Sequence, residues 1–256
     1  MKKENTFIKP EETRRYLLID GIRGFAITNM VIFHFLYDVY IIYGRNSAWY
    51  SQPHIHIWQQ AICWTFIFVS GFVWQLGMKN NIRRGIFFNI CGIAISLITW
   101  LLIPTQAIWF GILNFMGCAV LLTIPSHNIM RKVPPTIGLL LSFIIFILSK
   151  NIQRGYLGIG ETTLLALPKM LYNIKFLTPF GFPHPGFRSS DYFPIFPWIF
   201  LFFTGYYFYL IFEKHDLWKK IAYIKIPLFS QFGGKTIWIY LVHQPICMTV
   251  CALLLH

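Results

Sequence analysis

The chain has 256 residues, 56% of them hydrophobic and 12% charged, with a mean hydropathy of +0.56. Soluble domains carry about 25% charged residues, so this composition excludes a soluble globular protein and indicates an integral membrane protein. The formal net charge of +13 would suggest a nucleic-acid partner, but the Lys and Arg cluster between apolar runs, as topology signals do, and no nucleic-acid role is expected.

In chain order, the first sixteen residues, MKKENTFIKPEETRRY, are polar and have no apolar core ahead of a small-residue cleavage site. No cleaved signal peptide is expected, and the first span is its own insertion signal. Apolar runs approaching the ~20 residues that cross a bilayer core lie at 17–43, 57–78, 84–103, 107–124, 134–149, 192–212 and 236–255. Pro134 and Pro135 open the fifth run, and Pro104 and Pro125 are expected to end the runs before them. Residues 150–191 form the longest connection, within which 164–177 reads as a short interfacial helix or a partial eighth insertion. The expected fold is an all-α polytopic membrane protein, one domain over 1–256, with about seven spans, or eight if 164–177 inserts, bundled around a polar cavity.

With the N-terminus in the cytoplasm, fifteen of the 22 Lys and Arg fall on that side, from Lys2, Arg14 and Arg15 through Arg83, Arg84, Arg131 and Lys132 to Lys214, Lys219, Lys220, Lys225 and Lys235. This orientation makes 150–191 an extracytoplasmic connection and places His256 outside. The five cysteines, Cys63, Cys91, Cys118, Cys247 and Cys251, lie in or beside apolar runs without a CxxC pattern, so neither a disulfide framework nor a metal site is expected.

The first span, LIDGIRGFAITNMVIFHFLYDV, carries Asp20, Arg23, His34 and Asp38. An Asp or Arg at a helix centre costs roughly 2.5 to 3.5 kcal/mol on insertion scales, so four ionisable groups in one span require a use or a partner. At 100° per residue they share a stripe about 60° wide, and Arg23 and His34 are separated by about 16 Å along the axis. One reading is a structural network, Asp20 with Arg23 and His34 with Asp38, holding helices together. The other is a polar shaft with an Arg fork at the mouth for phosphate and a His deep inside, backed by a carboxylate, for general-base chemistry. A donor with phosphates at one end and a thioester at the other has that shape. A transporter passing a small anion or protons through the same shaft is the rival from another class.

Elsewhere, His243 and Gln244 sit in WIYLVHQPI, where Pro245 frees a helical carbonyl that Gln244 can satisfy, while His243 is placed to line the cavity. A haem held between His34 and His243 is the cofactor alternative. Arg83 and Arg84 stand at the cytoplasmic face, as donor-phosphate ligands or as topology signals. Asp191 precedes YFPIFPW and is a candidate for an acceptor hydroxyl, as is Glu161 in the long connection; Trp198 and Tyr192 read as interface-belt aromatics, with Trp198 kept as a substrate candidate.

The run LIDGIRGFAITNMVIFHFLYD, with ten residues between Arg23 and His34, resembles the start of transmembrane acyltransferases of the acyltransferase-3 family and of the heparan-α-glucosaminide N-acetyltransferase family with its small bacterial members. FVSGF at 68–72, RRG at 83–85, FGILNFMG at 110–117, DYFPIFPW at 191–198, FFTGYY at 202–207 and GGKTIWIYLVHQPI at 233–246 resemble the second group, in order, over nearly the whole chain. The resemblance implies acetyl transfer from cytosolic acetyl-CoA to a carbohydrate or lipid-linked glycan on the other face. It also implies a bacterial inner membrane and a membrane-lipid environment; a homodimer is the assembly kept in view. By position, Arg23 and His34 match the family's Arg-x10-His, and Asp20 and Gly24 match its opening. Small members carry His where this chain has Asn114. With the residue-by-residue reading above, the expected roles are His34 as base with Asp38 orienting it, or His34 as an acetyl carrier; Arg23, Asp20, Arg83 and Arg84 toward acetyl-CoA; and Asn114, Asp191, Trp198, His243 and Gln244 toward the substrates.

Overall fold

The computed structural model describes residues 16–45, 47–215 and 221–255. Lys2, Arg14, Arg15, Lys219, Lys220 and His256, used above for sidedness, lie outside the described residues. The helices are α1 (Leu17–Tyr37), α2 (Ser47–Tyr50), α3 (Pro53–Phe72), α4 (Asn81–Leu102), α5 (Ile112–Met130), α6 (Pro135–Ser149), α7 (Ile195–Lys214), α8 (Ser230–Gly233) and α9 (Thr236–Leu255). Among the described residues six helical segments are long and apolar enough to cross a membrane, so the protein is an all-α multi-pass membrane protein. That is one fewer than the seven expected, because α3 carries His54, His56, Gln59 and Gln60 in its first half and is not apolar enough to join them.

Two local expectations are corrected. Pro125 does not end its run: α5 continues through it to Met130. Prolines are tolerated in membrane helices when nearby groups satisfy the disturbed backbone. Residues 164–177 form no α-helix. A hairpin of β1 (Tyr156–Ile159) and β2 (Thr162–Ala166) occupies the start of the stretch, followed by two 3-10 segments, Lys169–Asn173 and Lys175–Phe180. Gly160, at a left-handed φ of 57°, helps turn the hairpin.

The chain divides into two compact units. One is made by the chain ends, with α1, α2 and the start of α3 from one end and α8 and α9 from the other. In it α1 packs against both α8 and α9. The approach is close enough that a Cβ on Gly24 would collide with the Phe229 carbonyl and one on Gly233 with the Asp20 backbone. Small residues at such crossings are how membrane helices bring their backbones together. α1 does not end cleanly. From Asp38 to Ile42 it widens into a π turn, closed by the Tyr43 amide donating to the Asp38 carbonyl at 2.9 Å. Single π turns inside α-helices recur at functional sites.

The second unit is residues 63–215, in which α4 pairs with α5 and α6 with α7. Its core holds Phe115, Phe146, Phe202 and Tyr206, all fully buried. A reciprocal crossing of α3 and α7 sets Gly71 on the Phe202 carbonyl and Gly205 on the Phe68 carbonyl. The outward faces of α4 and α6, with Ile90, Ile93, Leu97, Leu140, Leu141 and Ile144, are apolar and exposed, as lipid-facing surfaces are.

Candidate active site

α1 supplies the polar stripe. At its start Asp20 is buried and interacts electrostatically with Arg23, one turn on, so part of the paired arrangement expected from the sequence is present. Eleven residues further along, the His34 ring meets the His243 ring of α9 edge to face, with centroids 4.8 Å apart. The two histidines come from opposite ends of the chain and are brought together by the α1–α9 packing.

His243 is fixed by its own helix. Its Nδ1 lies 2.5 Å from the Tyr240 carbonyl oxygen, which can only accept, so Nδ1 carries the proton and Nε2 presents a lone pair. That Nε2 is buried and has no hydrogen-bond partner. Asp38 is fully buried at the start of the π turn, and its Oδ1 accepts from Gln244 Nε2 at 2.8 Å. Here the sequence reading is corrected twice. The Asp38 carboxylate is held by Gln244 and not by the His34 imidazole, and Gln244 spends its amide N–H on that carboxylate and not on the helix break at Pro245. The physical reason is reach: α9 lays Gln244 alongside the widened turn where Asp38 sits.

Asp38 Oδ2 and Gln244 Oε1 are buried without partners, as is the hydroxyl of Tyr50. Tyr50 ends the short helix α2, meets Tyr37 edge to face at 5.6 Å and Phe33 at a tilt at 5.4 Å, and has no signal in the sequence that sets it apart. Burial, then Tyr37 and Asp38, push its hydroxyl above the usual phenol range, so it is a proton-bearing donor. An unpaired buried polar group costs about 1–3 kcal/mol. Four such atoms, from Asp38, Tyr50, His243 and Gln244, lie on α1, α2 and α9 of this unit.

The other candidates belong to residues 63–215. Asn114 on α5 is buried against Gly92 of α4, where a Cβ would meet its amide. Asp191 reaches back to the start of α5, accepting from the Ile112 amide at 3.1 Å and so capping a helix N-terminus that would otherwise carry an orphan donor. Around it, Ser190 and Phe193 donate backbone N–H groups to the Ala107 and Phe110 carbonyls, zipping the loops before α5 and α7 together. Burial pushes the Asp191 carboxyl up to about 6, against the opposing pull of the Ile112 N–H. Trp198 is not a belt residue: it is buried between Phe193 and Phe146, at 4.9 and 5.6 Å, with its indole N–H unpartnered. Arg83 is exposed, and Arg84 folds over Gly77.

A family model described as heparan-alpha-glucosaminide N-acetyltransferase, catalytic, matches residues 15–245. No curated protein and no solved structure matches the chain.

Proposed function

The chain belongs to the family of the heparan-alpha-glucosaminide N-acetyltransferase catalytic domain, and from that premise we propose that it moves an acetyl group from cytosolic acetyl-CoA to a carbohydrate acceptor across a bacterial inner membrane. The observation that carries the reading is the pairing of half-buried His34 with buried His243 and the Asp38–Gln244 hydrogen bond, within two membrane-spanning helices. Buried ionisable groups in a span are costly, and a pair of imidazoles with an unspent lone pair suits proton abstraction.

Arg23, about 16 Å along α1 from His34, supplies a fork for a donor phosphate, and its neighbour Asp20 fixes its direction. Acetyl-CoA brings an activated thioester carbonyl. His34 takes the proton of the acceptor amine or hydroxyl as that atom attacks the carbonyl carbon; the C–S bond breaks and coenzyme A leaves as thiolate, which collects a proton. His243, with its proton held on Nδ1, is the adjacent base that can relay the proton from His34. Tyr50 and Asp38 offer the unpaired donor and acceptor that would grip the acceptor group. Arg83, Arg84, Asn114, Asp191 and Trp198 belong to the other unit and take no part in the step proposed here.

The test is coenzyme A release, followed by thiol detection, from protein in nanodiscs given acetyl-CoA and an amino sugar. Release matched one for one by acetylated sugar supports the reading. Binding of acetyl-CoA without sugar-dependent release contradicts it and favours a transport role for the same stripe.

A further inference from the structure

Residues 150–191 leave α6 and return at α7, two spans packed against each other, so both ends of the segment are held where those spans leave the bilayer. The segment is a built lobe. The Asn151 amide donates to the Gly158 and Gly160 carbonyls at 3.3 and 3.0 Å, the Leu167 amide donates to the Gly155 carbonyl at 2.8 Å, and the Tyr172 hydroxyl donates to the Ile152 carbonyl. β1 packs on α6, so the hairpin is anchored to that span.

On this frame large apolar side chains face outward. Phe176 is 78% exposed, Met170 70% and Leu164 65%, with Leu165, Ile159 and Ile174 beside them in sequence and also exposed. Exposed clusters of this kind mark an interaction surface. Two observations name the occupant. The lobe continues in sequence from α6, whose exposed side carries Leu140, Leu141 and Ile144, and β1 packs on that helix, so the lobe is built onto a span with an apolar outward face. Lys169 and Lys175 sit directly before Met170 and Phe176 and are exposed, and residues 150–191 hold five Lys and Arg against two acidic residues. Basic side chains alternating with large apolar ones are what an anionic membrane surface binds.

We propose that this lobe inserts into the headgroup layer of the leaflet on its side, with Leu164, Leu165, Met170 and Phe176 among the upper acyl chains and Lys169 and Lys175 on anionic headgroups. The inference stands apart from the acyltransfer reading, since it uses none of the residues of the α1–α9 cluster. It predicts that the lobe's backbone, hydrated at headgroup level, retains the hairpin, whereas deeper insertion would leave the outer edge of β2 unsatisfied.

The experiment is carbene labelling in nanodiscs holding one chain each, with a phospholipid bearing a diazirine near the headgroup end of its acyl chain, read by peptide mass spectrometry. The expected result is adducts within 164–176 as well as on the spans. They increase when phosphatidylglycerol is added to phosphatidylcholine, and the increase is lost in the Lys169→Gln/Lys175→Gln double variant. Adducts confined to the spans at every composition would overturn the proposal. So would protein crosslinks from 164–176 to a second chain, in discs holding two, with no lipid adducts there, because the face would then be a contact between copies.

Discussion

Gln244 Nε2 donates to Asp38 Oδ1 at 2.8 Å across 206 residues of sequence, joining the last span to the π turn that closes the first. The bond sets the carboxylate beside the His34–His243 pair without using it on either ring. It also leaves one carboxylate oxygen and one amide oxygen buried and unsatisfied, which a folded protein sustains when something else occupies the space.

Removing the amide isolates the acid. Gln244→Leu should destabilise the protein by about 1–3 kcal/mol, because Asp38 is left buried with neither oxygen paired. Asp38→Leu combined with Gln244→Leu should recover most of that loss, since both partners become apolar. Thermal unfolding of both variants and of Asp38→Leu alone, in nanodiscs, gives the coupling energy; additive losses would mean that the bond does not hold α1 to α9.

Arg23→Ala should weaken acetyl-CoA binding by about 1.5–3 kcal/mol, the range of a charge-assisted contact, while leaving the turnover of bound donor nearly unchanged. Calorimetry on the two proteins measures it. Equal affinity would return Arg23 to a structural pairing with Asp20.

Asp191 makes a pH-dependent contribution with a definite sign. Burial raises its carboxyl from 3.8 to about 6, so between those values the folded state binds more protons than the unfolded one and stability falls as pH rises. The penalty is absent below about 4 and complete above about 6. Asp191→Asn should therefore flatten the melting temperature between those limits relative to the native protein. An unchanged slope would show that Asp191 is ionised throughout and that its cap on Ile112 outweighs burial.

Much of the molecule was legible in the sequence for one physical reason: lipid admits charge only where it is used, so Arg23, His34 and Asp38 stood out against an apolar run. The span positions followed from the same contrast. The partner of Asp38 was not legible, because a Gln beside a Pro has a local explanation and nothing local points to a residue 206 positions away. Tyr50 was missed because a Tyr beside Trp49 at a span end reads as belt. The hairpin at 156–166 was missed because a short stretch mixing Thr and Leu has no period that separates strand from helix. Trp198 misled in the other direction: its sequence neighbours suggest an interface, and only the packing of Phe146 and Phe193 buries it.

His34→Ala should lower acetyl transfer by roughly 10²–10⁴-fold, the usual contribution of a general base, with donor affinity preserved because the phosphate contact lies a shaft's length away. His243→Ala should cost less if it relays and more if it is the base itself, so the pair of variants, with turnover and affinity measured side by side, assigns the role.

The most direct test of the account is a sided one. Protein is reconstituted in vesicles loaded with an amino sugar, radiolabelled acetyl-CoA is supplied outside, and the lumen is assayed for acetylated sugar with native and His34→Ala proteins. The account predicts labelled sugar in the lumen with the native protein, at least a hundredfold less with the variant, and coenzyme A left outside. Lumenal label equal in the two proteins, or entry of intact acetyl-CoA without sugar acetylation, would contradict it.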